Sequence, residues 1–321
     1  MKLSKSGFIT LILSISAIVM LIISNAPKYS AEKMRVGICK AADHIALDQV
    51  VAGIESRLSQ NKDIEVSVTS CQGNTVTAEQ IISKLSTDCR VIITIGTMPS
   101  IIASNMSRHK DYECAKVVFS SVTNPDDIPN KDKVTGVSNF IALDPQIAFF
   151  KKLQPKLQKL GIIYNAAEQN SVAIVHKIDT YCKKESNITL IAKCASNVQE
   201  IQQVTNSLIQ DGVDAVFISN DNTALSSLPL ITSLCKKYKI PVYVSDTDQV
   251  EPSGCLASLG PNQYDIGVQT AEIAVGLIDG KPPPIEYPQS QKTVINVSVA
   301  KELGIEIPEE LRGAELVGDN E

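Results

Sequence analysis

Six short polar segments hold the side chains that could do chemistry in this chain. They are Lys40 to His44, Gly96-Thr97-Met98-Pro99-Ser100, Ser121-Val122-Thr123-Asn124-Pro125, Asn165 to Ser171, Asn220-Asp221-Asn222-Thr223 and Ser245-Asp246-Thr247-Asp248. Each follows an apolar run of strand length. Their hydroxyls, carboxamides and carboxylates suit holding a ligand by hydrogen bonds and charge. Any one Asn, Asp, Ser or Thr reads best as a turn or cap residue; the set together favours ligand binding. The candidate contacts are Asp43, His44, Thr97, Ser100, Ser121, Thr123, Asn165, Asn170, Asn220, Asp221, Asn222, Asp246 and Asp248. Tyr164, at a strand end, joins them as a stacking surface, with hinge packing as the alternative.

The segments differ in charge. Gly96 to Ser100 opens a helix with Pro99 in its first turn, where free N–H groups and the hydroxyls of Thr97 and Ser100 would hold a carboxylate. Asp221, Asp246 and Asp248 suit a cation. A zwitterion satisfies both, which points to an amino acid; the absence of Trp weakens a sugar-stacking site. Alanine at Asp246 or Asp221 is expected to weaken such binding by more than about tenfold.

Catalysis has little support. The chain has no G-x-S-x-G, no Walker A run and no G-x-G-x-x-G, and calls for no cofactor or metal. Of its three histidines, His176 falls mid-helix and His109 in a charged loop; His44 beside Asp43 is a thin basis for a general base.

The elements that must position these segments alternate in type. Strands are predicted at Lys33–Cys39, Ile64–Ser70, Val91–Ile95 and Lys116–Ser120, then at Leu160–Tyr164, Ile188–Ala192, Ala215–Ser219 and Val242–Ser245. Helices fall between them, including Ile45–Gln60, Pro99–Ser107, Val198–Asp211 and Ala224–Tyr238; Tyr264–Asp279 is a further helix and Val294–Val299 a last strand. This order gives α/β architecture with parallel sheets and right-handed crossovers. The pattern repeats at an offset of 124 residues: Gly37 falls on Gly161, Ile54 on Ile178, Ser121 on Ser245, Thr123 on Thr247 and Gly136 on Gly260. A duplicated unit makes two doubly wound lobes with a cleft between them. Ligands of open parallel sheets sit outside the carboxyl ends of the strands, which is where the six segments lie.

The chain of 321 residues is long enough for two domains of ordinary size, and 44% apolar content can build their cores. A net charge of −5 without a basic stripe argues against a nucleic-acid partner. Residues 1–26 read as an address: Lys2 and Lys5 precede the apolar run Phe8 to Ile23 and then Ser24-Asn25-Ala26. A secretory signal is favoured over an uncleaved anchor. No Cys follows the run closely, so a lipoprotein is not expected. In an oxidising compartment bridges are feasible between Cys39 and Cys71, Cys89 and Cys114, and Cys235 and Cys255. The equal alternative is that the cysteines are small buried hydrophobes.

These residues resemble the extracytoplasmic substrate-binding proteins of ABC transporters, in the subgroup that includes tryptophan and tyrosine binders. The resemblance spans about Met34 to Leu311. It rests on Val36-Gly37-Ile38 with Asp43-His44, Ser121 to Pro125, Val134 to Val137, Gly161 to Asn165 with Glu168 and Asn170-Ser171, Asp221-Asn222-Thr223, Ser245 to Asp248, and Tyr264 to Gly267. It implies a type I periplasmic-binding fold, hinge closure on a ligand, and delivery to a permease and its ATPase by a monomer. The chain departs by its eight cysteines and by Thr97-Met98-Pro99, where an earlier proline is usual. The lobes are expected at 33–140 plus 262–290 and at 141–261 plus 291–321, with crossings at Val137–Ala142, Leu259–Gln263 and Ile285–Thr293. A sensor using the same fold, and a sugar or nucleoside binder, are the alternatives.

Overall fold

The computed structural model describes residues 33–108, 116–140, 143–185, 187–278, 280, 284–289 and 291–318. The address segment 1–26, His109 and Cys114 lie outside the described residues.

The first half alternates as expected. Strands β1 (Met34–Lys40), β2 (Ile64–Ser70), β3 (Val91–Ile95), β4 (Lys116–Val122) and β5 (Val134–Ser138) form one sheet. Helices α1 (Ile45–Leu58), α2 (Thr75–Asp88) and α3 (Thr97–Met106) connect them. All pairings are parallel, in the order β2-β1-β3-β4-β5. The central strand Val91–Ile95 is buried at every position. It is apolar but for Thr94, whose hydroxyl pairs with that of Ser100, because helices cover both its faces. Asn74 starts α2 by accepting the Thr77 N–H with its side chain.

The second half holds α4 (Leu143–Leu153), β6 (Lys159–Tyr164), α5 (Gln169–Glu185), β7 (Thr189–Cys194), α6 (Ile201–Gln210) and β8 (Ala215–Ile218). It continues through α7 (Asn222–Leu225), α8 (Leu228–Lys236), β9 (Val242–Val244) and β10 (Ala257–Gly260). Its sheet runs β7-β6-β8-β9-β10 and then adds β11 (Lys292–Asn296) and β12 (Glu315–Val317). The first five strands repeat the order of the first sheet, so the spacing of 124 residues in sequence is matched by topology. The repeat glycines also do one job. A Cβ on Gly37 would strike Leu85 of α2, and one on Gly161 would press on Leu208 of α6. In both sheets a bare Cα lets a helix sit close on the first strand.

Three departures from the expected elements bear on the fold. Ala224–Tyr238 is two helices, because Pro229 belongs in a first turn and begins α8. The predicted strand Val294–Val299 ends at Asn296, whose side chain accepts the Val299 N–H and starts α10 (Val297–Leu303). The same strand, β11, pairs antiparallel with β10, so the second sheet is mixed.

The chain passes between the sheets more than once. After β10 it forms α9 (Gln263–Ile278), which packs on α1 and shares the core of the first sheet through Ile266, Ala271, Ile273 and Ala274. The return segment runs beside β5. Ser138 N–H donates to Glu286 O at 2.9 Å, and Glu286 N–H to Gly136 O at 2.9 Å. Helices α1 and α9 touch backbone to backbone, since a Cβ on Gly53 would collide with Tyr264 O and one on Gly267 with Val50 O. Gly267→Ala is therefore expected to cost about 1–3 kcal/mol from overpacking. Urea unfolding followed by circular dichroism measures this; unchanged stability would refute the contact.

Second-sheet packing centres on Phe150 stacked against Tyr243, with ring centroids 4.1 Å apart. The buried Tyr243 hydroxyl offsets its lost water by donating to Gln154 Oε1 at 2.9 Å. Of the two readings given equal weight, the second is the one seen among the described residues, which show no bridge: Cys39, Cys71, Cys89, Cys235 and Cys255 are free and packed in apolar clusters. Cys39 and Cys71 do meet at the ends of adjacent strands. Their sulfurs share a hydrogen bond that holds the Cys39 thiol above its ordinary range and Cys71 below it. The Cys71 thiol also donates to Ala41 O at 3.4 Å.

Candidate ligand-binding cleft

The carboxyl ends of both sheets face one cleft. From the first sheet come His44 after β1, Thr97 after β3, Ser121 in the last residues of β4 and Thr123 after it. From the second come Asn170 in α5, Asn220 and Asn222 after β8, and Asp246 after β9. With Asn139 and Gln263 they surround an inner cavity of about 20 Å³, room for little more than one water. A larger chamber of about 600 Å³ shares Thr123 and Asn220 as walls. Its lining is mainly apolar, from Phe140, Leu143, Pro145, Ile174 and Tyr181, with Gln146, Lys177, Ser219 and Ser245 among its polar groups.

The lobes touch directly across the inner cavity. His44 Nε2 lies 3.1 Å from Asn222 Oδ1, and Asn220 Nδ2 donates to Thr123 Oγ1 at 3.4 Å. The first contact is set up by Glu168. One Glu168 oxygen accepts Asn222 N–H (3.0 Å) and Asn222 Nδ2 (2.7 Å), and the other accepts Thr223 N–H (3.2 Å) and Thr223 Oγ1 (3.1 Å). Because the Asn222 amide nitrogen is held by Glu168, its oxygen faces His44. Burial keeps the imidazole below its ordinary pKa and hence neutral at pH 7. Nε2 then carries the proton and Nδ1 is left as a bare acceptor. Gln263 ties the base of the cleft together: Ser121 Oγ donates to its Oε1 at 3.0 Å, and its Nε2 donates to Asp246 Oδ1 at 2.7 Å and Asn139 Oδ1 at 3.2 Å.

Ser121 itself is strained. Its φ is 54°, in the left-handed region that a non-glycine residue rarely adopts. It falls where the β4–β5 register shifts, between Ser120 and Val122. A bulge of this kind re-aims a side chain, and here the hydroxyl is turned toward Gln263.

Several buried polar atoms in the cleft have no partner: His44 Nδ1 and Thr97 Oγ1 at the inner cavity, Gln146 Oε1 and Ser219 Oγ at the chamber, and Asn220 Oδ1 at both. Each such atom costs about 1–3 kcal/mol if nothing bonds to it. These five atoms belong to residues that line the two adjoining cavities. Asp246 is fully buried there, and burial, then the Asp248 charge, push its carboxyl up to about 7. Glu168 is likewise pushed up to about 7 by burial and then by Asp221.

The remaining residues expected at the cleft are placed elsewhere. Asp221 is turned inward: its carboxylate accepts the N–H groups of Ala224 (2.8 Å) and Asn165 (2.6 Å) and the Ser171 hydroxyl (2.6 Å). It caps α7 and has no oxygen left for a ligand. Asn165 is spent on the same turn, bonding Thr223 Oγ1 and the Ala167 N–H. Ser100 bonds back to Gly96 O at 2.6 Å, so of the two hydroxyls proposed for a carboxylate only Thr97 stays available. Asp43 pairs with Lys40 at 2.9 Å on the surface, away from His44. Asp248 accepts from Asn262 Nδ2 and Gln263 N–H, and Tyr164 lines neither cavity. Residues not foreseen include Asn139, Phe140, Gln146, Ile174, Lys177, Tyr181 and Gln263. They come from a hinge segment and from helix faces, where no strand-end signal points to them. A better clue for Gln146 would have been its position among the apolar residues of α4.

Two sheets of repeated topology with polar strand ends closing on a shared cavity define a two-lobed ligand-binding protein. The chain belongs to the family of ABC transporter substrate binding proteins, whose model matches residues 35–315. It is 27% identical over 292 residues to a tyrosine-binding protein of Clostridioides difficile (strain R20291), covering 86% of this chain and 83% of the relative. A structure from Streptococcus pneumoniae in complex with L-Trp has 27% identity and a TM-score of 0.80, covering 89% of this chain and 100% of that one. A ligand-free, open structure of a substrate binding protein from Clostridium difficile has 26% identity and a TM-score of 0.64, covering 88% and 99%. At nearly equal identity the chain superposes better on the ligand-bound structure than on the open one. The direct His44–Asn222 contact agrees with a closed arrangement. Among the described residues no helix is long and apolar enough to cross a membrane.

Proposed function

We propose that the protein captures a small zwitterion, foremost an aromatic amino acid, between its lobes and delivers it to an ABC permease and its ATPase on the outer side of a membrane. The observation that carries this is the gathering of unpartnered buried polar atoms around a cavity that opens beside an apolar chamber. In this reading the ligand carboxylate takes the first turn of α3 and Thr97, where N–H groups of a helix end favour an anion. The ammonium takes Asp246 as the lobes part and enlarge the inner cavity beyond its present volume of about 20 Å³. The side chain enters the chamber, whose volume of about 600 Å³ lies in the ordinary range for small-molecule sites. The lobes divide at 33–140 plus 262–290 and 141–261 plus 291–321, and rotate about the three crossings. A ligand touching both lobes favours the closed state because only there does it make all its contacts.

A thermal-shift screen against the amino acids, sugars and nucleosides tests the reading. At 100 times its dissociation constant a ligand adds about 2.7 kcal/mol. Stabilisation by one or a few aromatic amino acids is expected. Stabilisation by sugars or nucleosides alone would overturn the ammonium and carboxylate roles, and no stabilisation by any amino acid would overturn the cargo.

A further inference from the structure

The chamber is apolar on most of its wall but not neutral in its hydrogen bonding. Gln146 is 1% exposed, and its Nε2 donates to Leu259 O at 2.7 Å. A carbonyl oxygen can only accept, so the amide cannot be turned the other way. Gln146 Oε1 is therefore held as a buried acceptor without a partner, on a residue that lines the chamber. Ser219, fully buried at the end of β8, adds a hydroxyl without a partner, and Asn220 adds Oδ1.

We infer that the chamber selects a ligand side chain carrying an N–H or O–H donor and rejects its hydrocarbon isostere, with Gln146 as the determinant and Ser219 in support. The inference rests on the amino-acid reading above and deepens it. A donor placed against Gln146 Oε1 completes a buried hydrogen bond. A ligand of the same shape without a donor seals that oxygen away from water unpaired. A site of this kind discriminates far more strongly than one built on shape alone. Lys177 and Asp144 also line the chamber. Lys177 can serve an acceptor on the ligand and Asp144 a further donor, but neither relieves the need for a donor at a fixed carbonyl.

The test uses two pairs matched in size: tyrosine against 4-methylphenylalanine, and tryptophan against 3-benzothienylalanine, each titrated by calorimetry. The donor-bearing member of at least one pair is expected to bind about tenfold tighter or better, from the cost of one unpaired buried acceptor. In Gln146→Met the gap should shrink to within about threefold. The isostere should gain or hold affinity, which a merely structural loss would not produce. Ser219→Ala breaks no bond within the protein and should narrow the gap in the same direction, so it serves if Gln146→Met fails to fold. Equal affinity within both pairs would overturn the inference while leaving amino-acid binding intact. An unchanged gap in both variants would remove Gln146 and Ser219 as its source. Failure of all four compounds to bind would defeat the amino-acid reading and this inference with it.

Discussion

Asp246→Asn should weaken amino-acid binding by about 10- to 100-fold at pH 8 and abolish most of its pH dependence. A hydrogen bond to a charged group contributes about 1.5–3 kcal/mol, and the amide keeps the volume while losing the charge. In the wild-type protein the Asp246 carboxyl is pushed up to about 7 by its burial, so it is largely protonated below that pH. An ammonium ligand requires the carboxylate. The wild-type Kd should therefore fall as pH rises from about 5.5 to 7.5, by up to about tenfold per unit below 7, and level off above it. Calorimetry at pH 6 in buffers of different ionisation enthalpy should show close to one proton released on binding. A flat profile with no proton release would place the ammonium elsewhere.

Glu168→Ala should destabilise the protein by about 2–4 kcal/mol and weaken ligand binding as well. Truncation leaves the donors of Asn222 and Thr223 without their acceptor, and unpaired buried groups carry the cost. Relief of the repulsion with Asp221 offsets part of it, since that neighbour helps push Glu168 up to about 7. The amide of Asn222 is also freed to turn, which removes the oriented acceptor from His44. Glu168→Gln keeps one acceptor oxygen and should fall between. Urea unfolding reads the stability and small-angle scattering with saturating ligand reads closure. Wild-type stability in Glu168→Ala would show that these bonds are replaced by water.

The two raised carboxyls also give stability a sign with pH. A buried acid whose folded pKa lies above its unfolded value favours folding while protonated. The stabilisation is fully present below the ordinary range near 4, and is lost as pH rises through about 7 for Glu168 and Asp246. Raising the pH from 5 to 8 should therefore lower the unfolding free energy of the free protein while raising ligand affinity. Asp246 contributes to both slopes, and Glu168 adds to the stability slope alone.

Much of the architecture is legible in the residues. Apolar runs such as Val91–Ile95 name the strands, and polar residues directly after them name the strand ends. The repeat of Gly37 at Gly161 anticipates two sheets of one topology. His44, Thr97, Ser121, Thr123, Asn170, Asn220, Asn222 and Asp246 could be placed at the cleft because strand ends are ordered by local pattern alone. What local pattern does not contain is where a side chain is turned. Asp221 and Asp246 occupy the same kind of position, yet one caps a helix within its own turn and the other faces the cavity. That difference depends on Asn165 and Ser171, distant in sequence, presenting donors to Asp221. Ser100 likewise reads as an anion contact until its hydroxyl bends back to Gly96.

The chamber is the clearest product of tertiary structure. Gln146 and Tyr181 sit on helices, where their spacing says only which face is buried, and Phe140 lies in a segment between lobes. Only the packing of α4 and α5 against the strand ends turns these faces toward one volume. The composition and order of the elements by themselves determined an α/β protein with two lobes and polar strand ends. The folded chain decided which of those polar groups remain unpaired. Hydrogen bonding is short-ranged and directional, so the supply of partners is settled by contacts between segments far apart in the sequence.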